Sequence, residues 1–154
     1  MLIWLENTAY SQWILTGLTG WPLVLSMHAV GLAIAVGMVF AMNLRLLGLY
    51  TTIPLSSVQG LLGYAWIGIA INIFSGFSLF MTQASYYVTS FPFLVKISAI
   101  GLGIVALVIT QKKLGKELSS WETGGISSQG RNLAIASLAL WTLAVVTGRL
   151  IAYL

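Results

Sequence analysis

Residues Trp21–Tyr50 read WPLVLSMHAVGLAIAVGMVFAMNLRLLGLY, and this stretch decides the fold. It is apolar almost throughout. A hydrocarbon core about 30 Å thick takes roughly 20 helical residues to cross, so the run is long enough even with some tilt. It also carries the only histidine in the chain, His28, with Arg45 towards its far end. An imidazole inside such a segment costs free energy unless it has a partner, which makes His28 a candidate functional residue.

The rest of the chain follows that lead. Of 154 residues, 58% are hydrophobic and only 6% charged, against about 25% charged in soluble domains. Residues 1–154 therefore predict a single integral membrane domain with the lipid bilayer as its solvent. The formal net charge of +4 would point to nucleic acid in a soluble protein. Here Lys and Arg are read first as topology signals, and no nucleic-acid partner is expected. The absence of cysteine excludes disulfides, iron–sulfur clusters and thiolate metal sites.

Residues 2–19 predict a short amphipathic helix lying at the membrane surface. Trp4, Leu5, Ala9, Trp13 and Leu15 recur at roughly helical spacing, with Glu6, Asn7, Ser11 and Gln12 between them. No basic n-region or A-x-A-like site accompanies it, so cleavage as a signal peptide is not expected. Gly17, Gly20 and Pro22 break that helix and open the first span. Spans are predicted over about 22–50, 58–83, 92–111 and 132–153, an all-α bundle of four transmembrane helices. Gly68, Asn72 and Gly76 lie four apart on one face of the second span, the small-residue pattern of close helix contact in membranes. Glycine-lined faces also make a homo-oligomer an expectation. Lys112, Lys113, Lys116 and Arg131 flank the polar stretch 112–131, so the positive-inside rule places that loop in the cytoplasm. Arg45 falls on the same side. Both termini are then periplasmic in a bacterial inner membrane.

Topology sets depth. At about 1.5 Å per residue, His28 lies roughly 9 Å below the outer boundary and Lys96 roughly 6 Å below it, with Arg149 at a similar level. Two cations and one imidazole at one height fit an anionic ligand. A haem b suits all three: a neutral imidazole ligates iron, and Lys96 and Arg149 can pair with the propionates. Gly31 and Ala35, on the His28 face, would let a flat macrocycle lie against the helix. Asn72, near mid-depth in the second span, is counted with the site.

The same residues allow plainer readings. His28 can be satisfied by Asn72, Ser26 or a backbone carbonyl, Lys96 and Arg149 can snorkel to the interface, and Gly31 and Ala35 can be packing residues. Copper would need His28 with Met27, Met38, Met42 or Met81. Zinc lacks ligands. The spans hold no acidic residue, and with no nucleophile–base pair and no phosphate-cradling glycine motif, redox chemistry would come from a bound cofactor.

The pattern H-x2-G-x5-G-x5-N-L-R-L-L-G, here His28, Gly31, Gly37 and Asn43 to Gly48, resembles an uncharacterised family of small four-helix bacterial membrane proteins. Asn43 stands where that family usually has aspartate. Phe93-x2-Lys96 and the ending Gly148-Arg149-Leu150 are similar to its later motifs. More distantly, His28, Arg45 and Lys96 resemble the pattern of the four-helix membrane protoporphyrinogen oxidase family and the copper-resistance D family. The first of these implies haem b, with His28 and Lys96 important and Arg45 offset by about one position. Its Trp-x-x-Gly region after the histidine is not reproduced. The expectation is therefore a haem b membrane protein that transfers electrons to a redox partner, or binds haem or a small ligand, with His28 as axial ligand. Either the iron is five-coordinate, or a methionine such as Met81 or a neighbouring subunit completes it. A protoporphyrinogen-oxidase-like enzyme and a cofactor-free accessory subunit are the alternatives.

Overall fold

The computed structural model describes residues 2–151 and 153, and among them helix is the one regular secondary structure, with no strand. Four helices are long and apolar enough to cross a membrane: α3 (Gly20–Leu46), α4 (Leu55–Thr82), α6 (Phe91–Gly124) and α7 (Ser128–Leu150). Three short ones, α1 (Ile3–Glu6), α2 (Ala9–Thr16) and α5 (Ala84–Tyr87), sit at one end of the bundle. The long helices form two hairpins, α3–α4 and α6–α7. α3 also packs on α7 and α4 on α6, which closes a ring in which the α4–α6 seam is the thinnest.

The α3–α4 seam is close because glycines meet there. A Cβ on Gly68 would stand 2.5 Å from the Ala35 backbone nitrogen, and one on Gly31 would stand 2.8 Å from Ile71 Cγ2. In lipid, where helices gain nothing from leaving water, such backbone approach supplies the dispersion contact that holds them together. Below this seam the core runs through Val39, Met42, Leu46, Leu55, Leu62, Leu107 and Leu114, all essentially inaccessible.

Helix ends differ from the sequence reading for local reasons. α3 stops at Leu46 and not near residue 50, because Gly48 adopts φ +94°. Gly48 N–H donates to the Arg45 carbonyl and Leu49 N–H to that of Leu44, the paired bonds of a Schellman stop. Arg45 then donates from Nε to the Ile53 carbonyl (2.7 Å), tying down the following turn.

The predicted surface helix over 2–19 is broken in two at Asn7 and Thr8. The Thr8 side chain accepts from Ser11 N–H, which caps a new helix. The segment is pinned to the end of α4: Tyr10 hydroxyl pairs with Ser78 Oγ at 3.0 Å, and Ser11 Oγ donates to the Met81 carbonyl. Trp4 and Trp13 stay exposed, as an interfacial segment requires.

The largest difference lies in 112–131. Instead of a loop, α6 continues to Gly124, and only Gly125–Ser127 connects it to α7. Leu114, Leu118 and Trp121 recur at helical spacing and pack on the core cluster. Amphipathic periodicity thus carries the helix out past the apolar run. Ser127 Oγ accepts from Gly130 N–H and caps the start of α7.

Candidate functional site

His28 projects from α3 towards α4. Its Nδ1 lies 2.9 Å from Ser75 Oγ. That hydroxyl has a single hydrogen, which it gives to the Ile71 carbonyl one turn earlier at 2.7 Å. Ser75 can therefore only accept from the ring, so Nδ1 carries a proton. Nε2, across the ring, makes no hydrogen bond among the described residues, and in neutral imidazole it holds the free lone pair. Gly76 makes room for the ring: a Cβ there would stand 3.2 Å from His28 Cε1.

Lys96 comes from α6 and rests on Gly148 of α7, whose added Cβ would stand 3.3 Å from both Cε and Nζ. Arg149 is the next residue along α7. Its guanidinium lies 5.6 Å from the centre of the Tyr153 ring and donates from Nη2 to the Tyr153 hydroxyl at 3.3 Å. Among the described residues neither cation meets a carboxylate; the one ion pair found is Lys113–Glu117, elsewhere on α6.

These three side chains line one cavity of about 780 Å³, within the roughly 300–1,000 Å³ typical of ligand pockets. Its wall is strongly aromatic, with Trp21, Phe80, Tyr86, Tyr87 and Phe93. Phe80, Tyr87 and Phe93 stack on one another, with ring centres 5.3–6.2 Å apart. Burial, and Tyr86 beside it, push the Tyr87 phenol above its ordinary pKa, so it stays neutral. A second, apolar lobe of about 400 Å³ shares His28, Gly76, Phe80, Phe93 and Lys96 with the first and reaches Trp141.

The other residues singled out from sequence lie elsewhere or do other work. Gly31 is turned into the α3–α4 seam and lines neither lobe. Ala35 is buried in that seam and touches the inner lobe. Asn72 lines the inner lobe, but its Nδ2 donates to the His28 backbone carbonyl at 2.8 Å and leaves the ring to Ser75. Ser75 escapes sequence reasoning, and Gly76 and Gly148, noted there only as a packing pattern and a motif, are not assigned to the site by it. Gly76 is part of the spaced pattern with Gly68 and Asn72, and Ser75 is simply the residue before it.

The donor set can be tested against metals. Among the described residues no group of three or more His, Cys, Asp or Glu side chains forms, and no methionine lines either lobe. Met81 gives its carbonyl to Ser11, and Met42 is buried in the core. A copper or zinc site made of side chains alone has no ligand beyond His28. A haem asks less of the protein. One imidazole nitrogen is held by Ser75, as metal-binding histidines usually require of their second nitrogen, and two cations face the same space. The residues present fit that group. No family model, curated relative or solved structure matches the chain.

Proposed function

We propose that this is a haem b-binding protein of the bacterial inner membrane, with His28 Nε2 as axial ligand and Lys96 and Arg149 near the propionates. One observation carries the reading. An imidazole with an uncommitted nitrogen and two cations, from three different helices, line one cavity with no carboxylate to balance them among the described residues. Unpaired cations at membrane depth are costly, and an anionic ligand would relieve them.

Bound there, haem would supply one-electron or small-ligand chemistry. The chain's own residues do the rest. Ser75 fixes the ring's tautomer and angle, Gly76 and Gly148 leave space for His28 and Lys96, and the aromatic wall offers flat faces to a macrocycle. Among the described residues no methionine reaches the cavity, so a small ligand or a neighbouring subunit would supply any second ligand. Gly60, Gly63 and Gly101 have nothing within 4 Å of a Cβ position and offer faces on which a second copy could lie. The positive-inside reading, with the 112–131 segment cytoplasmic and both termini periplasmic, places the cavity in the outer leaflet.

The test is an absorption spectrum of detergent-purified protein from haem-replete cells, oxidised and reduced. A Soret band is expected, and it should vanish in His28→Ala while elution volume stays the same. Unchanged haem content in that variant refutes the ligand assignment, and a colourless native protein favours a cofactor-free accessory subunit. A second reading, a protoporphyrinogen-oxidase-like enzyme, draws on His28 and Lys96 sharing both lobes. Complementation of a strain lacking that step separates it from the first.

A further inference from the structure

The inner lobe has features that haem binding leaves unused. Apart from His28, Asn72, Lys96 and Trp141 its wall is aliphatic or phenyl. It also opens sideways. Ile73 and Phe77 of α4 and Ile97 of α6 line it, yet they are 59%, 55% and 51% exposed on the outside of the bundle. This mouth lies along the thin α4–α6 seam, where acyl chains would surround the protein. A solute dissolved in the bilayer can reach the lobe there without crossing water.

The polar atoms in the lobe define what the solute carries. Trp141 Nε1–H is buried with no acceptor among the described residues, but it lies against Gly103 of α6, which lines neither lobe. Lys96 Nζ makes no hydrogen bond there either, and its three donors allow it to serve both lobes. Asn72 spends its Nδ2 on the His28 carbonyl, and its Oδ1 remains to accept. The lobe thus offers Lys96 as a donor for a carbonyl oxygen and one acceptor for a hydroxyl. Its only cation is Lys96, because Arg149 faces the outer lobe alone. A neutral ring is cheaper to bury in so apolar a slot than a phosphodiester, and Phe77, Phe80 and Phe93 suit a flat one.

We propose that the inner lobe binds the head ring of a membrane-dissolved isoprenoid quinone or quinol, which enters between α4 and α6 and leaves its tail among the acyl chains. At about 400 Å³ the lobe takes a substituted ring and the start of a tail. Binding here needs no haem in the outer lobe. Where haem is present, the ring sits beside the shared wall of His28.

The full chain in phosphatidylcholine nanodiscs, treated with a photoreactive prenylated benzoquinone and mapped by mass spectrometry, provides the test. Label is expected on the stretches around Ile73–Phe77 and Ile97. Excess prenylated quinone should suppress it about tenfold or more, a tail-less benzoquinone should do so less well, and phosphatidylglycerol should have no effect. Ile97→Trp and Ile73→Trp each fill the mouth from the lipid side, so either should cut labelling to a similar degree with helicity and haem content retained. Label spread over all lipid-facing helices overturns the assignment, as does undiminished label in a folded slot-filling variant. Equal competition by phosphatidylglycerol overturns it too and makes the lobe an ordinary lipid groove.

Discussion

At the scale of single residues, the orientation of one ring depends on one hydroxyl. Ser75 gives its hydrogen to the Ile71 carbonyl and so must accept from His28 Nδ1. Asn72 meanwhile holds the backbone of the same histidine. Ring and main chain are thus fixed from α4 by separate side chains, which leaves Nε2 as the nitrogen free to ligate. Ser75→Ala removes the acceptor, leaves a partly buried N–H without a partner at a cost of about 1–3 kcal/mol, and lets the ring swing. Haem affinity should fall roughly 10–100-fold, the usual cost of losing the group behind a metal-binding histidine. Ser75→Thr, whose hydroxyl can make the same bond to the preceding turn, should restore most of it. Haem titration of the three proteins decides the matter: equal affinities for all would show that Ser75 does not orient the ring.

At the scale of helices, the α3–α4 hairpin is the part with least tolerance. Gly68→Ala would drive a methyl into the backbone of Ala35, where no side chain can yield. The helices must separate, at about 1–3 kcal/mol for an overpacked contact. Gly63→Ala, on the same helix but with nothing within 4 Å, should be neutral or gain up to about 1 kcal/mol from helix propensity. Thermal unfolding in detergent compares them, and an equal loss of stability in both would mean that the seam is not what holds the hairpin. The sequence shows this contact as a pattern, Gly68, Asn72 and Gly76 on one face, but not which partner helix that face meets. The spans themselves are plain in the sequence, because an apolar run longer than a bilayer crossing has little use in a protein surrounded by water. His28, Lys96 and Arg149 are legible for the complementary reason: ionisable groups are rare in such runs, and topology alone sets their heights. Ser75, Gly76 and Gly148 are not, since small residues look alike in every seam and acquire a role only once helix rotation is known. The extension of α6 is hidden wherever polarity is weighed above the spacing of Leu114, Leu118 and Trp121.

At the scale of the whole molecule, charge is divided between the two ends of the bundle, and under the proposed positive-inside orientation that division would put the cavity in the outer leaflet. Arg45, Lys112, Lys113, Lys116 and Arg131 gather at the end where α6 runs on to Gly124. Beyond Gln111, whose side chain accepts from Trp66 Nε1–H, the helix extends about 20 Å at 1.5 Å per residue. The remaining two cations, Lys96 and Arg149, line the cavity near the opposite end; Lys96 is half-buried, whereas Arg149 is exposed beside Tyr153. Each Lys or Arg beside an anionic cytoplasmic leaflet is worth about 1 kcal/mol, so the inverted arrangement forfeits several such terms at once. The chain has no cysteine, and a single introduced thiol therefore reports its own side of the membrane. Ser119→Cys, on the exposed face of the α6 extension, should resist a membrane-impermeant maleimide in spheroplasts and react after lysis. Thr89→Cys, in the turn just before α6, should react in intact spheroplasts. The opposite pattern would move the cavity to the cytoplasmic leaflet and any haem with it. Equal labelling of both sites from outside would show that the five clustered cations do not set the orientation.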